Sequence, residues 1–194
     1  MPEHGPAYGV VVLAAGASTR LGQPKQLLLH HGETLVHRAA RLALETAPSD
    51  AVIVFGFDAD VMASRIADLS IRRIDCADWQ LGLGASLRAG VDALSQVCTG
   101  VLVVLCDQPG LEVSHLLSLR DAWLRAPGRG VASHYAGRFG VPALLPREWL
   151  QALDAYSDRG MRDLLGQRAE HMDLIANPAL AFDVDRLEDL HHLS

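Results

Sequence analysis

The sequence predicts an α/β fold, with a mainly parallel, twisted sheet carrying helices on both faces. Three observations lead there. Val-rich apolar runs at Tyr8–Ala14, Ala51–Phe55 and Val101–Leu105 show no polar alternation, which suits strands covered on both sides. Amphipathic stretches of helical period separate these runs, the pattern of βαβ crossovers. The chain has 194 residues, 49% of them hydrophobic, enough for one sizeable core.

In chain order, Tyr8–Ala14 is the first strand. Thr34 is a suitable N-cap for a helix running to Glu45, with Leu35, Ala39, Leu42 and Ala43 as its apolar stripe. Ala51–Phe55 is a second buried strand, and Asp58 opens a helix reaching about Leu69. Ile71–Asp75 is a weaker strand and Ser86–Val97 a helix. Val101–Leu105 is the third strong strand, followed by a helix over His115–Leu124. A strand near Gly130–His134, an extended piece at Val141–Leu145, helices near Glu148–Leu153 and Gly160–Gly166, and a terminal segment Asp183–Leu193 complete the reading. The Pro/Gly clusters at Ala126–Gly130 and near Pro178 are ordinary loops, and one domain spanning 1–194 is expected.

Composition narrows the function. Seventeen basic against twenty-three acidic residues give a net charge of −6, so the bulk charge supplies no basic face for nucleic acid or an anionic membrane. Aromatic residues are only 5%, too few for a base-stacking platform. Cys76, Cys98 and Cys106 include no C-x-x-C pair and read as reduced, buried thiols, with Cys106 open to oxidation beside Asp107. The nine histidines form no metal pattern; the pairs His30-His31 and His191-His192 read as surface residues. No apolar run spans a bilayer, and MPEHGPAYG has neither the basic start nor the apolar run of a signal peptide, so a soluble cytoplasmic protein is expected.

In such sheets ligands bind at the carboxyl ends of the strands, which directs attention to the loops after Ala14, Phe55, Asp75 and Leu105. The first reads LAAGASTRLGQPKQLL, Leu13 to Leu28. Small residues there let the backbone approach a ligand, and successive N–H groups in such a turn cradle phosphate oxygens. Arg20 and Lys25 would add charge-assisted contacts. The alternative is a Gly-rich turn with two solvated bases. A P-loop is excluded because Leu21 stands where its second glycine belongs. A dinucleotide fingerprint is excluded because Ser18 and Leu21 replace its second and third glycines.

Three more segments follow. Gly82–Gly90 (GLGASLRAG) reads as a Gly-rich helix N-terminus led by Ser86, packed through Leu87 and Val91. Asp107, in LCDQPGL, stands at the carboxyl end of the strongest strand, where a hard carboxylate beside phosphates meets the needs of Mg²⁺; the alternative is a turn-forming Asp before Pro109. Asp183 and Asp185, in FDVDRLEDL, would otherwise cap a last helix.

The string LAAGASTRLGQPK resembles the signature loop of the MobA- and MocA-like nucleotidyltransferases, which attach a nucleotide to molybdopterin. The resemblance extends from Gly9 to Leu190 through S-L-R-x-G at Ser86–Gly90, D-x-P at Asp107–Pro109, G-x-P-x-L at Gly140–Leu144, and SDRGMRDLL at Ser157–Leu165. It implies a single Rossmann-like domain of the nucleotide-diphospho-sugar transferase type. It implies that Leu13, Ala14, Ala15, Gly16, Ser18, Arg20 and Lys25 bind the nucleotide together with Gly84 and Ser86. Arg20, Lys25 and Asp107 would carry catalysis, with Mg²⁺ held by Asp107 and Asp185, or by Asp183 as second choice. Gly140, Pro142 and Arg162 would face the acceptor. Two departures stand out: Arg186-Leu187 where the family has Thr-Pro, and Met161 where Ala is usual.

Leu13-Ala14-Ala15-Gly16 is similar to the loop of members that use CTP, whereas L-A-G-G goes with GTP; the Ala15 methyl would occupy room that a purine needs. The expected reaction is CMP transfer from CTP to the terminal phosphate of molybdopterin, releasing pyrophosphate, with a molybdenum hydroxylase as a further partner. Alternatives are a GTP-using guanylyltransferase, a sugar- or polyol-phosphate cytidylyltransferase, and a non-catalytic molybdenum-cofactor carrier. A nucleotide-dependent reductase ranks last, for want of a dinucleotide fingerprint.

Overall fold

The computed structural model describes residues 5–18, 21–152 and 161–184 together with Asp189 and Leu193. Its sheet is built around β1 (Ala7–Leu13), flanked by β4 (Asp50–Phe55) and β6 (Cys98–Leu105), all parallel. Successive side chains on these strands go to opposite faces. Val10, Val12, Ile53, Leu102 and Val104 face one core, with α1 (Leu35–Leu44) and α4 (Val113–Arg125) packed on it. Val11, Leu13, Val52, Val54, Val101 and Val103 face the other, covered by α3 (Leu83–Ala93), α5 (Arg147–Gln151) and α6 (Met161–Gln167). Burial on both faces is why these strands read as unbroken apolar runs.

The edge strand β5 (Arg72–Asp75) pairs with β4, and its charged residues suit an edge. On the other side β8 (Arg138–Pro146) runs antiparallel between β6 and β7 (Gly130–Tyr135), and β9 (Met172–Ala176) pairs parallel with β7. The order is β5-β4-β1-β6-β8-β7-β9, so β8 alone opposes the rest. β7 and β8 are joined by Ala136-Gly137, both at positive φ (49° and 72°), the geometry of a tight hairpin that follows the sheet twist. Among the described residues no helix is long and apolar enough to cross a membrane.

Several sequence expectations shift. The helix opened by Asp58 is only α2 (Ala59–Ser64); after it the chain tightens into i→i−3 turns, with Ile66 N–H on Ala63 and Leu69 N–H on Ile66. Asp58 adopts a left-handed φ of 49° and gives no side-chain cap. α3 starts at Leu83, three residues before Ser86, because Gly82 at φ 114° supplies the break. Ser86 is therefore a buried residue inside the helix rather than its cap. β9 and a two-residue hairpin of β2 (Leu29–His30) and β3 (Glu33–Thr34) are additions, and Pro178–Ala181 is a 3-10 turn rather than a plain loop.

Arg147 fastens α3 to the sheet. It is 6% exposed, and its guanidinium donates to the carbonyls of Val91, Leu94, Ser95 and Cys98 where α3 ends and β6 begins. Arg147→Met keeps the apolar stem but leaves these carbonyls without their cationic donor. Denaturant unfolding is expected to show a loss of about 3 kcal/mol or more.

Candidate active site

The loop leaving β1 is tied down through its carbonyls. Ala14 N–H extends the ladder to Val54 O at 3.0 Å, and Phe57 N–H donates to Ala15 O at 3.2 Å. Gln26, 1% exposed, sends Nε2 to the carbonyls of Ala14 (3.1 Å) and Gly16 (2.6 Å). Its Oε1 accepts from Ser18 Oγ at 3.3 Å, and Ser18 Oγ accepts from Lys25 N–H at 3.1 Å. Ser18 holds a left-handed φ of 51°, which this cross-bracing stabilises. With the carbonyls turned onto Gln26, the N–H groups of Ala15, Gly16 and Ala17 find no acceptor among the described residues. Such a run of unpaired amides is a cradle for phosphate oxygens. A Cβ built on Gly16 would meet nothing within 4 Å, so the loop faces open space there.

That space is a cleft of about 290 Å³. One wall is Leu13 to Gly16 with Lys25 and Gln26; the other is Trp79, Gln80, Gly82, Leu83 and Ser86; Cys106 also lines it. Trp79 lies so close over Gly56 that any Cβ there would be 2.3 Å away, and it meets Phe57 edge-on with ring centroids 6.1 Å apart. Of the expected nucleotide contacts, Leu13, Ala14, Ala15, Gly16, Lys25 and Ser86 line this cleft. Ser18 stands behind the loop as part of its bracing, and Gly84 lies in the first turn of α3 outside the lining. Arg20 and Asp185 fall outside the described residues, as does the side chain of Arg162 within α6.

A second cleft of about 360 Å³ lies on the other side of Leu83, which lines both. Tyr135, Arg138, Phe139, Gly140 and Val141 from the β7–β8 hairpin form one part; Met161, Asp163 and Leu165 from α6 form another, with Asp183 and Leu105. Gly140 is thus in place as expected. Pro142 does not line the cleft but stands just behind it, its carbonyl accepting from Ser133 Oγ at 2.6 Å.

The end of β6 separates the clefts, since Leu105 lines the second and Cys106 the first. Asp107 follows. Its Oδ2 lies 2.5 Å from Lys25 Nζ, while its Oδ1 is buried without a partner. Val184 N–H donates to the Asp107 carbonyl at 3.0 Å, which brings Asp183 and the start of the terminal segment alongside. An unpartnered buried carboxylate oxygen is a suitable ligand for a divalent cation. Among the described residues no group of three or more acidic, His or Cys side chains is arranged to hold a metal ion.

Burial pushes the Cys106 thiol up to about 12, with the Asp107 carboxylate acting in the same sense. A buried thiol held protonated is a poor nucleophile, which weighs against the oxidation expected at Cys106. Sequence reading also passed over Gln26, Trp79, Gln108 and Tyr135. The one available signal was Gln26 itself, a polar residue set against Leu27-Leu28 in a loop already under attention.

Comparisons with known proteins place the chain in a family. Nicotine blue oxidoreductase from Paenarthrobacter nicotinovorans is 34% identical over 201 residues, covering 97% of each chain. The crystal structure of an Rv0371c homolog from Mycobacterium sp. strain JC1 superposes with a TM-score of 0.78 at 28% identity, over 96% of this chain and 94% of that one. The manganese complex of Rv0371c from Mycobacterium tuberculosis gives 0.76 at 25% identity, over 96% and 97%. Residues 10–172, which carry the cradle loop, Asp107 and the hairpin wall, match the MobA-like NTP transferase domain. On that match over most of its length, the chain belongs to the MobA-like family of nucleotidyltransferases.

Proposed function

We propose that the protein is a Mg²⁺-dependent cytidylyltransferase that moves CMP from CTP to the terminal phosphate of a molybdopterin-type acceptor. The observation that carries this reading is the position of Asp107, at the strand end between two clefts, with Lys25 on one oxygen and the other unpartnered. CTP would occupy the first cleft, its phosphates on the amides of Ala15 to Ala17 and on Lys25, with Arg20 close by in sequence. Ala15 on the cleft wall, where a glycine would leave more room, favours the smaller base. The acceptor would enter the second cleft beside Gly140, and the resemblance to the family assigns its phosphate to Arg162.

Asp107, with Asp185 or Asp183, would hold Mg²⁺, which neutralises charge on the triphosphate. A relative that binds manganese supports a divalent ion. An acceptor phosphate oxygen forms a bond to the α-phosphorus while the bond to the bridging α–β oxygen breaks, and pyrophosphate leaves with the electron pair. The nucleophile already carries about −1.5 to −2 charge at neutral pH, so no general base is required. The chain's contribution is to align the two phosphates and to offset charge, as in other phosphoryl-type transfers. The nicotine blue oxidoreductase that aligns with the chain over 97% of its length favours a second reading, an oxidoreductase acting in the same cleft.

The deciding experiment measures pyrophosphate release with Mg²⁺, molybdenum cofactor and each of CTP, GTP, ATP and UTP, alongside NADH and NADPH oxidation. Release with CTP alone is expected. Release with GTP would keep the reaction and overturn the base assignment. Silence with all four would overturn the molybdopterin acceptor and direct the search to sugar and polyol phosphates. Oxidation of a reduced nicotinamide would favour the second reading.

A further inference from the structure

Asp107 leads directly into Gln108, which is 4% exposed. Its Nε2 donates to Val141 O at 3.1 Å and to the Tyr135 hydroxyl at 3.2 Å, and that hydroxyl donates to the same carbonyl at 2.9 Å. These bonds fall where the β7–β8 ladder breaks register. Ala132 faces Ala143 but Ser133 faces Gly140, so Val141 and Pro142 have no partner on β7. A bulge of this kind bends the strand and leaves carbonyls outside the ladder. Side chains take them: Gln108 and Tyr135 at Val141, and Ser133 at Pro142. Because the Ser133 proton goes to Pro142, His115 Nε2–H must be the donor to Ser133 Oγ at 2.8 Å.

The bulge is therefore pinned from two elements, and one of them is the strand end bearing Asp107. Tyr135 also lies across Gly140, where an added Cβ would stand 2.3 Å from its hydroxyl oxygen. Burial raises the Tyr135 pKa, and the Asp183 and Asp107 carboxylates raise it further, so the hydroxyl stays a donor. Gln108 Oε1 is buried with no partner. A buried amide that satisfies only its nitrogen is poorly chosen for stability, and the cost is intelligible if the nitrogen holds something the reaction needs.

We propose that Gln108 and Tyr135 are positioning residues for the transfer step, fixing the Gly140–Val141 wall of the acceptor cleft against the strand end that carries Asp107. This rests on the reading of the second cleft as the acceptor site. Their effect is on alignment, and a displacement of about 1 Å in such a step costs on the order of a hundredfold in rate.

The test uses Gln108→Leu and Tyr135→Phe, which keep the packing and remove the bonds to Val141 O. With CTP, Mg²⁺ and molybdenum cofactor, kcat/KM for the acceptor is expected to fall roughly 30- to 100-fold, while KM for CTP stays within about twofold. Hydrogen exchange is expected to quicken in the peptide covering residues 139–143, with the melting temperature lowered by at most about 3 °C because Val141 O keeps one donor in each variant. Wild-type acceptor kinetics in both variants would overturn the proposal. A lower melting temperature with kcat and both KM values unchanged would also overturn it, because it would mark a merely structural role. If the wild type transfers nothing, the cytidylyltransferase reading fails by itself and hydrogen exchange decides. Faster exchange confined to 139–143 keeps the wall assignment, and unchanged exchange removes it.

Discussion

Asp107→Asn is expected to lower Mg²⁺-dependent pyrophosphate release by about a thousandfold or more while leaving the protein folded. Asn has the same shape, so the turn after β6 and the Val184 N–H bond to the residue 107 carbonyl persist. What disappears is the charge. The carboxylate offers an unpartnered buried oxygen to a cation and draws Lys25 Nζ to 2.5 Å with the other. Losing a metal ligand forfeits several kcal/mol of charge stabilisation, and about 4 kcal/mol corresponds to roughly a thousandfold in rate. The pair with Lys25 is partly solvated, at 19% and 16% side-chain exposure, so its loss costs on the order of 1 kcal/mol of stability. Thermal melts and turnover together separate these effects. Near-wild-type turnover would remove Asp107 from the metal site. Asp183→Asn and Asp185→Asn, measured alongside, tell which terminal carboxylate is the second ligand: the variant that needs markedly more Mg²⁺ for half-maximal rate.

Much of the architecture was legible because it rests on strong periodic signals. β1, β4 and β6 are buried on both faces, and nothing but an apolar run satisfies that, so Tyr8–Ala14, Ala51–Phe55 and Val101–Leu105 fell within a residue or a few of their observed bounds. Thr34 was legible because a cap is a local event; its Oγ1 accepts from His37 N–H at 3.4 Å. The α3 start was misplaced for the converse reason. Serine is favoured at caps, but here Gly82 at φ 114° breaks the chain and Ser86 serves as a buried wall of the cleft. The antiparallel direction of β8 and the bulge at Val141-Pro142 are pairing events, decided by neighbours remote in sequence. The bonds from Gln108 and Tyr135 depend on that bulge, so no local pattern announces them. The cradle loop announced itself through its glycines and bases, whereas the residue that braces it did not.

That residue carries the second large expectation. Gln26→Leu should both destabilise the protein and weaken nucleotide binding. Gln26 uses both amide protons, on Ala14 O and Gly16 O, and accepts from Ser18. Leu fills a similar volume in a site only 1% exposed, so packing is nearly kept and the polar loss dominates. Two carbonyls left without donors cost about 1–3 kcal/mol each, before any relaxation toward water. For a chain of this length about 2–4 kcal/mol corresponds to a fall in melting temperature of roughly 5–10 °C. The functional effect follows from the same bonds. Once the carbonyls are released, the peptide planes between Ala14 and Ser18 can rotate, and the N–H groups of Ala15 to Ala17 lose their fixed orientation. KM for the nucleotide is then expected to rise more than tenfold, with KM for the acceptor little changed. Gln26→Glu sharpens the interpretation. It is nearly isosteric, yet it replaces two donors with a carboxylate facing two carbonyls beside the loop proposed to hold the phosphates, so it should be at least as damaging as Leu. If both variants melt and bind nucleotide like the wild type, the loop is held by its backbone turn alone, with Leu21 N–H on Ser18 O at 2.9 Å sufficient to set the cradle.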